Sequence, residues 1–188
     1  MLASASPRRA ELLRQIGVAF RVATDCQVDE TVQPGEDPIR AAERLAREKA
    51  AACRERYPES RAVVAADTMV VLDGKILGKP ADPAEAAAML GALSGRTHDV
   101  VTGWAVAGPD RVLAGAEITR VRFRVLTAPE IATYVATGEP LDKAGAYGIQ
   151  GRAAVFVPEI SGDYFTVVGL PLSRVGEALK SLGIPFGT

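Results

Sequence analysis

The feature that most constrains the fold is a helix-start signal repeated along the chain. Ser6-Pro7, Asp37-Pro38 and Asp82-Pro83 each place a side-chain oxygen before a proline, and each precedes a segment with a helical apolar pattern. Such pairs are typical of an N-cap residue followed by the first helical position. They therefore predict three helices, which end near the following residues: Gly17, Tyr57 and Leu93.

Short apolar runs between these helices predict β-strands. Ala62–Ala66 is apolar throughout, as expected of a strand covered on both faces, and a hairpin around Asp73-Gly74 follows it. Alternation between His98 and Leu126 predicts two long antiparallel strands. Additional strands are predicted at Ala153–Val157 and Thr166–Leu170, and additional helices between Pro129 and Gly138 and at Pro171–Leu182. Helices and strands alternate with hairpins inserted, so the sequence predicts an α/β fold with a mixed sheet and helices on both faces.

Length and charge limit the classes of partner. A chain of 188 residues with a formal net charge of −1 fits one domain with no general attraction to nucleic acid or to an anionic membrane. No apolar run approaches the roughly 20 residues of a membrane span, and the N-terminus lacks the layout of a signal peptide. Cys26 and Cys53 lack a Cys-x-x-Cys spacing, which favours free thiols in the cytoplasm.

The first helix start carries a candidate anion site. Arg8 and Arg9 lie in its first turn, where the helix dipole disfavours cations. Free backbone amides, two guanidinium groups and the hydroxyls of Ser4 and Ser6 would together bind a phosphate. The alternative is that both arginines point into solvent and Ser6 is only a cap.

The sequence permits two interpretations of Lys49 and two of Glu30. Lys49 follows Leu45 by one helical turn and so lies on or beside the buried face of the second helix. Its ammonium either extends to solvent along apolar surface or reaches into a cleft. Glu30, in the acidic pair Asp29-Glu30, is either a surface carboxylate or a metal ligand.

Asp67 follows the apolar run Ala62–Ala66, at the predicted carboxyl end of a strand, where α/β sheets collect ligand-binding groups. A carboxylate there can hold a divalent ion or take a proton from water, or can simply form a turn. Lys79 follows in the turn Gly78-Lys79-Pro80. The charged, glycine-rich segment from Gly138 to Gly151, called here the 138–151 loop, also has the character of a functional loop.

Several other site classes are excluded by the sequence. His98 is the only histidine, and no serine has a Gly-x-Ser-x-Gly context, which argues against a hydrolase triad. One histidine and two distant cysteines do not make a zinc site. The phosphate-binding loop of NTPases and the dinucleotide fingerprint are both missing from the sequence.

Taken together, six separated motifs resemble those of Maf proteins, in the same order and over nearly the whole chain. They are Ser4–Arg9, Ala66-Asp67-Thr68, Gly78-Lys79-Pro80, Leu93–His98, the 138–151 loop and Gly169–Leu172. The resemblance implies one Maf-like domain over residues 1–188, with an elongated sheet and two lobes around a cleft. It implies a nucleoside triphosphate pyrophosphatase that uses a divalent metal, Mg²⁺ or Mn²⁺, and is usually a homodimer.

The resemblance also implies roles for single residues. Asp67 would be the acidic catalytic residue and, with Glu30, would bind the metal, while Lys49, Lys79 and Ser4 would bind the substrate phosphates.

The family includes two subfamilies, one that acts on dTTP and UTP and one that acts on 7-methylguanosine triphosphate. The 138–151 loop resembles that of the first, pyrimidine subfamily. By this resemblance, Arg8, Thr68 and Gln150 match the positions that the pyrimidine subfamily uses for substrate selectivity. The alternatives are a 7-methylguanosine triphosphate pyrophosphatase and a non-catalytic, nucleotide-binding regulator of septum formation.

Overall fold

The structure is a computed structural model that describes residues 1–26 and 28–187. Within them, the strands are β1 (Leu2–Ala3), β2 (Val22–Ala23), β3 (Val63–Leu72), β4 (Lys75–Leu77), β5 (Thr97–Ala107), β6 (Val112–Arg122) and β7 (Glu159–Ser161). The α-helices are α1 (Pro7–Gln15), α2 (Pro38–Arg56), α3 (Pro83–Leu93), α4 (Ala128–Val135), α5 (Tyr164–Val168) and α6 (Leu172–Ser181). None of these helices has both the length and the apolarity needed to span a membrane.

All of these strands join one mixed sheet, as the sequence predicts. Its order is β2-β1-β3-β5-β6-β7, with β4 paired to β3 outside this path. Strand β1 runs parallel to β2 and β3, whereas β4 is antiparallel to β3 and β7 is antiparallel to β6. The mixed α/β class is therefore confirmed.

The three helix starts predicted from Ser-Pro and Asp-Pro pairs are confirmed at the level of single hydrogen bonds. The Ser6 hydroxyl accepts from the Arg9 amide, and the Asp37 and Asp82 carboxylates accept from amides in the first turns of α2 and α3. Each bond satisfies a backbone donor that has no partner inside the helix. A capping box of Thr127 and Glu130 begins α4 in a similar way.

The prediction that Asp67 ends a strand is wrong. Strand β3 continues through Asp67 as far as Leu72 and pairs with β4 beyond it, with Val70 opposite Leu77. A carboxylate inside a buried strand is costly unless its charge is paired. Here Lys49 supplies that compensation at 2.6 Å, so the strand passes through the charged position.

The predictions of strands at Ala153–Val157 and Thr166–Leu170 are also wrong. Arg152–Phe156 forms a 3₁₀ helix and Tyr164–Val168 forms α5, while β7 lies between them. Short apolar runs do not distinguish a strand from a helical turn by pattern alone. The Asp163 carboxylate decides the second case, because it accepts hydrogen bonds from the Thr166 amide at 2.8 Å and the Thr166 hydroxyl at 2.9 Å.

The chain divides into two compact units. The first comprises 1–67, 102–117 and 169–188, and the second comprises 68–101 and 118–168. The core of the first unit is rich in alanine and contains Ala3, Ala23, Ala46, Ala50, Cys53, Val63, Ala65, Ala105 and Ala107.

Small side chains in the first unit allow α2 to pack very closely on β5. A Cβ atom at Gly103 of β5 would overlap the Ala42 carbonyl group of α2 and lie 2.6 Å from the Glu43 nitrogen. Only glycine therefore permits this approach of helix backbone to strand backbone.

The core of the second unit is built from larger side chains, including an aromatic group. His98, Phe123 and Tyr147 pack edge to face, with ring centroids 4.8 to 5.4 Å apart. His98 Nε2 lies 2.8 Å from the Tyr147 hydroxyl. Burial lowers the pKa of His98 to about 4, so the imidazole is neutral at physiological pH.

This buried histidine predicts a pH-dependent stability. In the unfolded chain His98 titrates near 6.5, so between that pH and about 4 the unfolded state binds more protons than the folded state. We expect His98 alone to lower the free energy of unfolding by up to about 3 kcal/mol as pH falls through this window. Urea denaturation from neutral to acidic pH measures it. The His98→Gln variant should lose less stability over the same range, and an equal loss in both proteins would contradict the assignment.

Candidate active site

Three predicted site residues meet in the first unit. Lys49 Nζ lies 2.6 Å from Asp67 Oδ1 and 3.0 Å from Glu30 Oε2. Lys49 and Asp67 are each 8% exposed, whereas the Glu30 carboxylate is mostly exposed. Glu30, Lys49 and Asp67 are called the ion-pair cluster below.

The position of Lys49 follows from the helical pattern of α2. The residues of α2 that share its buried face are Ala41, Ala42, Leu45, Ala46, Ala50 and Cys53. Lys49 belongs to this face, and its ammonium is held by two carboxylates. The sequence leaves open whether the Lys49 ammonium extends to solvent or reaches into a cleft. The structure shows that it contacts two carboxylates.

Arg9 adds a second cation to the same region. Its Nε donates to the Gly169 carbonyl at 2.8 Å and its Nη1 donates to the Ser4 hydroxyl at 3.2 Å. Burial is the main cause that lowers the pKa of Arg9, while the nearby carboxylates of Asp67 and Glu30 raise it. The guanidinium therefore lies within the electrostatic field of the ion-pair cluster.

The start of α1 is more ordered than a solvent-exposed cap. Besides the Arg9 guanidinium, the Ser4 hydroxyl accepts a hydrogen bond from the Ser6 amide at 3.1 Å, and Ser6 itself caps α1. Arg8 is half-buried, and its charge lowers the pKa of Arg9. The sequence names both Arg8 and Arg9 as candidate anion-binding residues from their unfavourable position in a helix first turn. The structure shows that the Arg9 guanidinium bonds to Ser4 and Gly169 instead of extending into solvent.

The charges of this region suit an anionic substrate. Arg8, Arg9 and Lys49 supply three cations against the two carboxylates of Glu30 and Asp67, and the first turn of α1 adds the positive end of its dipole. A carboxylate inside such a group can accept a proton while the cations stabilise phosphate oxygens.

The donor set is also suited to a divalent cation that a substrate helps to bind. Within residues 1–26 and 28–187, no three His, Cys, Asp or Glu side chains are arranged to hold a metal by themselves. Mg²⁺, however, commonly binds through one or two carboxylates together with substrate phosphates. Glu30 and Asp67, which converge on one ammonium, fit this second mode.

The remaining predicted residues, Thr68, Lys79 and Gln150, belong to the second unit. Thr68 is half-buried on β3, whereas the side chains of Lys79 and Gln150 are exposed. The turn that carries Lys79 is tied to the 138–151 loop, because the Gly145 amide donates to the Gly78 carbonyl at 3.0 Å.

The 138–151 loop is structured, as its composition predicts. It contains 3₁₀ helices at Glu139–Asp142 and Ala144–Ala146. Lys143, between them, donates through Nζ to the Glu139 carbonyl and the Asp142 carboxylate, each at 2.6 Å. Gln150 is therefore presented from an internally bonded segment.

Comparison with known proteins places this geometry in context. The family model described as Maf-like protein matches residues 1–182. A dTTP/UTP pyrophosphatase of Symbiobacterium thermophilum is 55% identical over 188 residues, covering 100% of this chain and 96% of that protein. Proteins with the same name from Aromatoleum aromaticum and a Geobacillus strain are 52% and 51% identical, covering 98% and 97% of this chain and 96% and 97% of theirs.

Proposed function

The chain belongs to the Maf family of proteins, and from this premise we propose that it hydrolyses dTTP and UTP to the monophosphate and pyrophosphate. The observation that carries the proposal is the ion-pair cluster, in which the Lys49 ammonium lies between Asp67 and Glu30. Relatives about half identical over the full chain, all named dTTP/UTP pyrophosphatase, support the choice of substrate.

In the proposed reaction, water attacks the α-phosphorus, the bond from this atom to the α,β-bridging oxygen breaks, and pyrophosphate leaves with that oxygen. Asp67 takes the proton from the attacking water, since a buried carboxylate oriented by Lys49 at 2.6 Å can act as a general base. Lys49, Arg8 and Lys79 stabilise the charge on the phosphate oxygens, and the Ser4 hydroxyl offers a further hydrogen bond to them. Such stabilisation is the main requirement of phosphoryl chemistry.

We also propose that Glu30 and Asp67 hold Mg²⁺ or Mn²⁺ when substrate binds. The bound cation would polarise a phosphoryl oxygen and lower the pKa of water. Lys49 already lies at hydrogen-bonding distance from both carboxylates, so it keeps them close together before the cation arrives.

We further propose that Gln150 selects the base, with Thr68 and Arg8 assisting. The edge of uracil and thymine presents a carbonyl, an N–H and a second carbonyl. The amide of Gln150 has one acceptor and one donor and can pair with the N–H and a carbonyl together. Cytosine lacks that N–H, so one group of the pair would remain unsatisfied.

The Gln150→Glu variant tests base selection. A carboxylate lacks the amide donor, so we expect kcat/KM for UTP to fall by about ten- to a hundredfold, with a smaller preference over CTP. Steady-state kinetics on the two nucleotides measure both values. An unchanged base profile in the variant would show that Gln150 does not read the base.

A substrate panel tests the function itself. Purified protein is assayed for pyrophosphate release from dTTP, UTP, CTP and 7-methylguanosine triphosphate, with and without Mg²⁺ or Mn²⁺. We expect metal-dependent release, with dTTP and UTP well ahead of CTP. Preference for 7-methylguanosine triphosphate would favour the other subfamily, and nucleotide binding without turnover would favour a regulator of septum formation. Activity in the presence of chelator would contradict the metal proposal.

Two properties of the whole molecule are also proposed. A homodimer is the state that the family resemblance implies, and sedimentation equilibrium tests it. A cytoplasmic location agrees with the two free thiols, Cys26 and Cys53, and with a substrate that is a soluble metabolite. Fractionation of cells that produce the protein tests the location.

A further inference from the structure

Glu139, near the start of the 138–151 loop that carries Gln150, makes hydrogen bonds to three separate parts of the chain. Its Oε2 accepts a hydrogen bond from the Arg152 amide at 3.1 Å, and its Oε1 accepts one from the Tyr134 hydroxyl at 2.9 Å. Its own carbonyl accepts from Lys143 Nζ at 2.6 Å. One half-buried residue thus connects α4, the first 3₁₀ helix and the segment that follows Gln150.

The steric contacts at Gly151 show how closely this carboxylate lies against the chain next to Gln150. A Cβ atom at Gly151 would overlap Glu139 Oε1 and lie 2.7 Å from Oε2. The absence of a side chain at this position therefore makes room for the carboxylate.

Tyr134 connects Glu139 to the backbone on the other side of Gln150. Its hydroxyl donates to Glu139 and accepts from the Gly148 amide at 3.2 Å. The Gly151 amide then donates to the Gly148 carbonyl at 3.0 Å, which closes the turn around Gln150. The backbone on both sides of Gln150 is thereby fixed, while its side chain remains exposed.

We propose that Glu139 is a positioning residue for base selection, because its carboxylate fixes the 148–152 segment and with it the direction in which Gln150 presents its amide. This inference rests on the base-reading role proposed for Gln150 above. In this role Glu139 acts on the reaction through the backbone of the 148–152 segment and not through a contact of its own with the nucleotide.

The Glu139→Gln variant tests the inference with little change in size. A carboxylate accepts at both oxygens, whereas an amide places an NH₂ group against either the Arg152 amide or the Tyr134 hydroxyl. We expect the ratio of kcat/KM for UTP to that for CTP to fall by about tenfold, the effect of one lost hydrogen bond to a charged group. Amide hydrogen exchange at Arg152 should accelerate, because this N–H exchanges a charged acceptor for a neutral amide.

Two further variants separate positioning from a general loss of stability. Tyr134→Phe removes only the hydroxyl between Glu139 and Gly148, so it should lower the same ratio. Glu159→Gln removes a carboxylate of the same unit that pairs with Arg122 at 2.9 Å, and should leave the ratio unchanged. Melting temperatures are measured for all three variants.

The outcomes distinguish this inference from the function on which it rests. If Gln150→Glu changes the base ratio and folded Glu139→Gln does not, the positioning role is wrong and the base-reading role stands. If Glu139→Gln and Glu159→Gln lower the ratio equally, the effect is one of general charge and the positioning role is also wrong. If wild-type protein releases no pyrophosphate, the proposed function itself fails.

Discussion

The Asp67→Asn variant is expected to lose pyrophosphatase activity almost completely while remaining folded. Asparagine keeps the size of the side chain but can neither take a proton from water nor contribute a carboxylate to a metal. The loss should be at least about a hundredfold in kcat, the lower end of the contribution of a general base. Pyrophosphate release at saturating UTP measures it.

The fold should tolerate this substitution because Lys49 keeps acceptors. Its ammonium remains 3.0 Å from Glu30, and the amide oxygen of asparagine can replace the carboxylate oxygen that it contacts. Circular dichroism and thermal melting provide the control. Near-normal turnover by the folded variant would exclude Asp67 as the catalytic residue.

The Lys49→Met variant is expected to lose both activity and stability. Methionine retains the apolar part of the side chain on the buried face of α2, but leaves the buried Asp67 carboxylate without the cation that lies 2.6 Å away. Removing one partner of a buried ion pair costs about 3 kcal/mol or more. Urea denaturation measures this loss, and the kinetic assay measures the loss of phosphate stabilisation.

The double variant Lys49→Met/Asp67→Asn separates the two effects. It removes the uncompensated charge, so it should recover much of the lost stability without recovering activity. If Lys49→Met is as stable as wild type, its ammonium does not compensate Asp67. If the double variant is no more stable than Lys49→Met, the loss comes from packing of the lysine stem.

Much of the fold could be predicted because its signals are local. A capping side chain and the proline after it lie within a few residues of the amides they organise, so the starts of α1, α2 and α3 are visible in the sequence. The segments around Ala153 and Thr166 could not be assigned in this way. Their conformations depend on turn contacts such as those of Asp163, and apolar pattern alone does not encode such contacts.

In the candidate site, too, local signals identified single residues, whereas contacts between distant segments could not be predicted from them. Residue types pointed to Glu30, Lys49 and Asp67 individually, and only the family resemblance implied that they share one site. Their meeting depends on α2, β3 and the segment after β2 coming together, which is tertiary information. Glu139 shows the limit most clearly, because its hydrogen bonds to Tyr134 and Arg152 bridge 5 and 13 residues within an irregular loop. No periodic pattern marks such a residue.

The close packing of α2 on Gly103 affects how far the Lys49 side chain must extend. Ala42, which lies against Gly103, is two helical turns from Lys49 on the same face of α2. The separation between the axis of α2 and the sheet thus sets how far the Lys49 stem must extend to meet Asp67. A side chain at position 103 would move α2 away from the sheet, and the Lys49 ammonium would then have to bridge a longer distance to Asp67.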